Sequence, residues 1–210
     1  MPELFELRND FNLSSLRKSE MPGDPFVLFN AWISEAIGKK IQDANMMVLA
    51  TSTRDGKPSA RVVLLKYFDE NGLVFFTNYE SRKGCELKEN SKASVVFYWS
   101  ELQKQIRVEG DVTKTSNEIS DLYFSKRPYD SRISACISNQ SRVINDRKDL
   151  ENKFAKYKQK DINILRPNFW GGYCLSPSWF EFWQGRTSRL HDRIIYKQVN
   201  DTWDIVRLAP

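Results

Sequence analysis

The sequence predicts an α+β protein: an antiparallel β-barrel or closed sheet with peripheral helices. Three observations carry that prediction. Strand-like runs follow one another with short turns between them, as in "MMVLATST", "RDGKP" and "SARVVLLKYF", so hairpins succeed one another. No regular βαβ alternation is present, and neither GxGxxG nor GxxxxGK[ST] occurs, which disfavours Rossmann and P-loop nucleotide sites. The 210 residues are 40% hydrophobic and 13% aromatic, enough for one domain with a substantial core.

Each element has a local reason. Residues 1–24 are polar and end in the turn-rich "MPGDP", which reads as an arm preceding a single domain over residues 25–210. Helix formation is predicted from Pro25, with Asp24 as N-cap and Phe26, Phe29, Ile33 and Ile37 at helical spacing. "DENG" turns the chain into "LVFFTN", and a short helix over "SRKGCELKEN" leads to "ASVVFYW" and "KQIRVEGDVTKT". Residues 116–126 and 146–160 read as polar helices. "SWFEFWQ" and "RIIYKQVNDTWDIVRLAP" return to strands, with "VND" turning the last hairpin. The total is about six or seven strands.

Lys plus Arg number 32 against 27 Asp plus Glu, a modest excess that suits anionic ligands and is otherwise solvated surface. Three scattered cysteines with no CxxC, and a single histidine, cannot complete a usual zinc set, so no metal is expected. The start lacks the basic-then-apolar layout of a signal peptide and no apolar run reaches membrane-spanning length. A soluble, cytoplasmic protein is expected.

Four stretches can carry chemistry. "WQGRTSRLHDR" holds the only histidine, His191, among arginines. Neighbouring cations disfavour its imidazolium form. If the stretch is extended, Arg189, His191 and Arg193 share one face. "RVVLLK" sets Arg61 and Lys66 five apart, hence on opposite faces of a regular strand. Arg82 and Lys83 in "TNYESRKG" stand at a helix start, where free N–H groups favour phosphate. Tyr123, Arg127 and Ser131 in "YFSKRPYDS" are four apart in series, an anion grip on a continuous helix, although Pro128 interrupts it. Together they suit a flat aromatic cofactor and a phosphorylated substrate.

The stretches "ARVVLLK", "FFTNYESRKG", "YFSKRPYDS", "NQS", "PNFWGGY", "FEFWQGRTSRLHDR" and the ending "RLAP", in this order over nearly the whole chain, resemble the pyridoxine (pyridoxamine) 5′-phosphate oxidase family. The resemblance implies an FMN-binding split β-barrel working as a homodimer, with each flavin between two subunits. It implies oxidation of pyridoxine 5′-phosphate or pyridoxamine 5′-phosphate to pyridoxal 5′-phosphate, with dioxygen as acceptor and hydrogen peroxide released.

By motif, the resemblance assigns FMN to Arg61, Val62, Val63, Leu64, Leu65, Lys66, Phe76, Thr77, Arg82, Lys83, Gln105, Gln140, Ser141, Trp183 and Arg193. Lys66, Tyr123, Arg127 and Ser131 are implied to bind substrate. Arg189 and His191 are implied to face its ring and reacting carbon as the catalytic pair. In the arm, Arg8 and Phe11 align with residues that cover the substrate, and Phe11 lacks a tyrosine's hydroxyl. Rival readings are a flavin-dependent reductase on the same fold, a non-catalytic binder of FMN or pyridoxal phosphate, and a nucleic-acid binder. No basic tail or RNA motif supports the last.

Overall fold

The computed structural model describes residues 10–160 and 162–210. Arg8, expected over the substrate, lies outside them. Five α-helices and nine strands are present among the described residues: α1 Pro25–Gly38, β1 Met46–Ser52, β2 Pro58–Leu64, β3 Tyr67–Asp69, β4 Gly72–Asn78, α2 Arg82–Glu89, β5 Lys92–Trp99, β6 Lys104–Lys114, α3 Asn117–Ser125, α4 Tyr129–Ile137, α5 Arg147–Lys158, β7 Trp170–Gln184, β8 Asp192–Val199 and β9 Thr202–Leu208. The sheet order is β2-β1-β5-β6-β7-β4-β3, with β8 joined to β7 and β9 to β8. The strand count exceeds the expected six or seven. "SARVVLLKYF" divides after Leu64 into β2 and β3, and β7 begins at Trp170, well before "SWFEFWQ".

The chain clusters into two compact units. One comprises the described residues up to Leu49, Ser94–Gly110 and Pro177–Pro210; the other comprises the described residues of 50–93 and 111–176. In the first, α1 starts where the sequence places it: the Asp24 side chain accepts from Phe26 N at 2.9 Å and proline opens the helix. Its buried face holds Phe29, Trp32, Ile33 and Ala36. Ile37 is 59% exposed, because at 100° per residue it lies about a quarter turn from the middle of that stripe. Phe29 packs edge-on against Phe97 at 5.5 Å and Trp32 against Phe182 at 5.4 Å. The antiparallel β8–β9 hairpin turns at Asn200, whose φ of 53° is the left-handed conformation such turns require.

In the second unit β4 is buried almost throughout and pairs antiparallel with β7, placing Phe76 opposite Gly172 and Thr77 opposite Gly171. A side chain at Gly172 would stand 2.9 Å from the Phe76 ring. The small residue therefore lets Phe76 lie flat on the sheet. Phe124, Ile133, Ala135, Ile164 and Trp170 form a core beneath α3 and α4. That core holds the cavity described next.

Candidate active site

A cavity of about 640 Å³ opens in the second unit. One wall is aromatic. The Phe76 ring stacks on Tyr123 with centroids 4.0 Å apart, and the Trp170 ring lies nearly parallel to both. The other walls carry Lys66, Lys83, Lys126 and Arg127, and among the described residues no carboxylate lines the space. Four cations without counter-charge suit a ligand with multiple negative charges.

Pro128 does break the helix expected to carry Tyr123, Arg127 and Ser131. Tyr123 ends on α3, Ser131 stands in the first turn of α4 and Arg127 lies in the link. All three nevertheless line the cavity, because the corner packs on Trp170, with the Arg127 guanidinium 4.6 Å from that ring. Nη1 of Arg127 is buried and has no hydrogen-bond partner among the described residues, an omission costing about 1–3 kcal/mol. Burial holds the Arg127 pKa below its ordinary value. An anionic oxygen would satisfy both conditions, and the start of α4 adds free N–H groups.

The RVVLLK stretch divides its cations, although the regular strand that the spacing assumed stops short of Lys66. β2 ends at Leu64, and Lys66 N donates to Val74 O at 2.8 Å. Val62, Val63, Leu64 and Lys66 line the cavity, while Leu65 is buried in the core. Arg61 turns to Glu86, Nη2 to Oε2 at 3.2 Å, and also bonds Thr51 and Ser59. Arg82 likewise donates to Glu86 at 2.9 Å. Of the expected pair at the start of α2, only Lys83 enters the cavity. Its Nζ donates to Thr77 Oγ1 at 3.2 Å, Ser81 Oγ at 3.4 Å and Gln140 Oε1 at 3.4 Å. Burial lowers its pKa, with a further push from Arg61 that Glu86 opposes. Gln140 lines the cavity, whereas Ser141 is exposed in a left-handed turn at φ 70°.

The sequence reading passed over Asn78, Lys126, Ser134, Ser138 and Trp170, which also line the cavity. Two of them left a signal: Lys126 sits in "SKRP" and Trp170 in "PNFWGGY". Asn78 did not. It ties the end of β4 to the end of α4 through Nδ2 to Ser138 O at 3.3 Å, a contact between residues sixty apart.

The remaining expected residues gather in the first unit. Trp183 and Arg193 face each other across β7 and β8. Arg193 grips the buried carboxylate of Glu181 with Nε at 2.7 Å and Nη2 at 3.1 Å, which raises its pKa. Gln105 is half-buried on β6. His191 lies 4.7 Å from the Trp183 ring, and Phe11 meets both rings edge-on at 5.8 Å. The stretch from Arg189 to Arg193 is not one extended run, since β8 begins only at Asp192, so the shared-face expectation is corrected. Thr187–Arg189 form a 3₁₀ turn, with Ser188 at φ 55° and Arg189 at φ 59°. Two successive left-handed residues reverse the chain and hold Arg189 out into solvent. His191 has a lowered pKa, first from burial and second from Arg189, which favours its neutral form; burial leads where the sequence had suggested arginines.

Phe11 is held by a clamp on the arm. Gln103 Oε1 accepts from Asn12 N at 3.0 Å, Arg186 Nη1 donates to Ser14 O at 3.2 Å, and Asp192 Oδ2 accepts from Leu16 N at 3.1 Å. Arg207 pairs with Asp192 and donates to Leu16 O.

Fold and cavity together define an FMN-binding split β-barrel protein. The structure matches PhzG from Burkholderia lata 383, solved with tetrahydrophenazine-1-carboxylic acid, at TM-score 0.91 and 29% identity over 96% of this chain and all of that one. It shares its fold, at TM-score 0.71 and 17% identity over 90% of this chain and all of the other, with a pyridoxamine 5′-phosphate oxidase-related FMN-binding protein from Nostoc punctiforme. Residues 33–161 match the family model described as pyridoxamine 5′-phosphate oxidase, and residues 170–210 match the pyridoxine 5′-phosphate oxidase C-terminal dimerisation region. Pyridoxine/pyridoxamine 5′-phosphate oxidases from Nostoc sp. PCC 7120 and Leptospira interrogans are 50% and 47% identical, covering 98% and 100% of this chain and 97% and 99% of their own. The chain belongs to the pyridoxamine 5′-phosphate oxidase family.

Proposed function

We propose that the protein oxidises pyridoxine 5′-phosphate and pyridoxamine 5′-phosphate to pyridoxal 5′-phosphate. FMN is its cofactor and, when bound, would supply the redox chemistry, as acceptor of hydride from the substrate's C4′ with dioxygen as the final acceptor and hydrogen peroxide as by-product. The observation that carries the reading is the cavity whose four cations face no carboxylate among the described residues. Two phosphate groups bring about −3 to −4 charges at neutral pH, the charge this lining can balance.

Within the cavity the residues divide by chemistry. Lys83, Thr77 and Gln140 form one polar corner suited to the FMN phosphate, and Val62 and Leu64, 54% and 38% exposed, offer apolar surface to a flat ring. Arg127 and Ser131, with Tyr123 and Lys66, form the grip for the substrate phosphate. Arg189 supplies a planar donor fork to the pyridine ring, His191 meets the reacting carbon and Phe11 covers it. The protein is a homodimer, and we place each FMN between subunits, so that Trp183, Arg189, His191 and Arg193 of one subunit complete the cavity of the other. Residues 1–24 serve as the arm of a single domain spanning residues 25–210, and the setting is cytoplasmic.

The test is aerobic turnover of purified protein with FMN and pyridoxine 5′-phosphate, following aldehyde. Formation that requires both FMN and the substrate's phosphate is the expected result. Flavin binding without aldehyde from either phosphorylated vitamer would refute the reading and turn attention to carboxylated ring compounds of the kind bound in the PhzG complex.

A further inference from the structure

We infer that His191 acts as a hydrogen-bond donor through Nε2–H, fixed in that tautomer by the main-chain N–H of Arg186, and that it does not accept the substrate's proton. The inference rests on the oxidase reading for the substrate and on this chain's own geometry for the tautomer.

Arg186 N donates to His191 Nδ1 at 3.1 Å. A neutral imidazole has one donor and one acceptor nitrogen. With Nδ1 accepting, the proton belongs on Nε2. Moving it to Nδ1, or adding a second proton there, would set N–H against N–H. The arrangement is built rather than incidental. The turn over Thr187–Arg189 closes with Leu190 N on Thr187 O at 3.1 Å, and its left-handed residues bring His191 back onto Arg186. The Arg186 side chain is itself held by Ser14 O and, at 3.7 Å, by Asp192. Trp183 and Phe11 fix the ring from two sides. Among the described residues, Nε2 has no partner.

The consequence separates the two substrates. As the C4′ hydride leaves to the flavin, the hydroxyl proton of pyridoxine 5′-phosphate leaves to water, and Nε2–H bonds the oxygen's lone pair. Pyridoxamine 5′-phosphate offers no lone pair while its amine is an ammonium, so it must react as the free amine. Arg186 is thus a positioning residue, acting through His191.

The histidine is unique in the chain, so ¹⁵N-histidine labelling of the FMN-loaded enzyme gives signals from this ring without further assignment. The expected spectrum at pH 7 has Nδ1 unprotonated and Nε2 protonated. The reverse tautomer, or an imidazolium, would overturn the inference whether or not the enzyme turns over. In kinetics, kcat/KM for the amine should rise tenfold per pH unit below the amine's pKa, with no such limb for the alcohol. A limb common to both substrates that disappears in His191→Ala would instead mark His191 as the base. His191→Gln, which keeps an amide donor near the position of Nε2, should retain at least tenfold more activity than His191→Ala. Equal loss in the two variants would refute the donor role.

Discussion

Glu86→Gln tests the network that holds two of the expected cofactor residues. Glu86 is 4% exposed and receives Thr51 and Ser59 hydroxyls at 2.5 Å, Arg61 at 3.2 Å and Arg82 at 2.9 Å. Burial alone would raise its pKa, but these four donors outweigh it and bring the value from 4.5 to about 2. At about 1.4 kcal/mol per pH unit, that gap is worth about 3 kcal/mol. Because the folded pKa lies below the unfolded one, the contribution is complete above about pH 4.5 and is lost as pH falls through about 2. The glutamine keeps the shape and still accepts from the hydroxyls, but takes the carboxylate charge away from Arg61 and Arg82. The expected loss at pH 7 is therefore about 3 kcal/mol, or a Tm lower by about 6–12 °C for a chain of this size. The difference from the parent protein should shrink by about 2 kcal/mol between pH 7 and pH 3. Circular dichroism melts at fixed protein concentration and without FMN measure this, since ligand and partner binding shift Tm themselves. A variant within about 0.5 kcal/mol of the parent at pH 7, or a difference unchanged at pH 3, would refute the account of an ionised, organising carboxylate.

Further outcomes follow from the same geometry. Gly185→Ala would put a methyl 2.7 Å from the Phe11 ring; displacing Phe11 at an overpacking cost of about 1–3 kcal/mol should raise KM at least about fivefold with FMN affinity unchanged, and an unchanged KM would remove Phe11 from the site. Arg127→Lys loses the fork over Trp170 and should raise KM for pyridoxine 5′-phosphate about tenfold, the equivalent of about 1.4 kcal/mol; equal KM values would exclude Arg127 from the phosphate grip. Arg189→Lys should lower kcat/KM by a similar factor or more, and unchanged kinetics would exclude it from the mechanism. His191, with its folded pKa below 6.5, should be neutral at pH 7. Its contribution to stability is present above pH 6.5 and is lost as pH falls and the unfolded chain takes up the proton first. An NMR titration midpoint at or above 6.5 would contradict the burial argument.

Much was determined by local sequence. Asp24–Pro25 starts α1, β-branched runs make the strands, Asn200 turns the last hairpin, and the motifs carry the family and most of the cavity's residues. These features depend on backbone preferences and periodicity within a few residues, and those are written locally. Only the tertiary structure decided which partner each charged side chain takes. Arg61 and Arg82 look like the other cations in the sequence, yet both turn to Glu86, because a buried carboxylate demands compensation. Arg127 and Ser131 line one cavity across the Pro128 break because Trp170, about forty positions away, packs beneath the corner. The tautomer of His191 follows from a left-handed turn that brings Arg186 N–H onto its ring. Burial, long-range packing and the satisfaction of buried polar groups set these outcomes, and each joins residues that the sequence keeps apart or backbone conformations it does not announce.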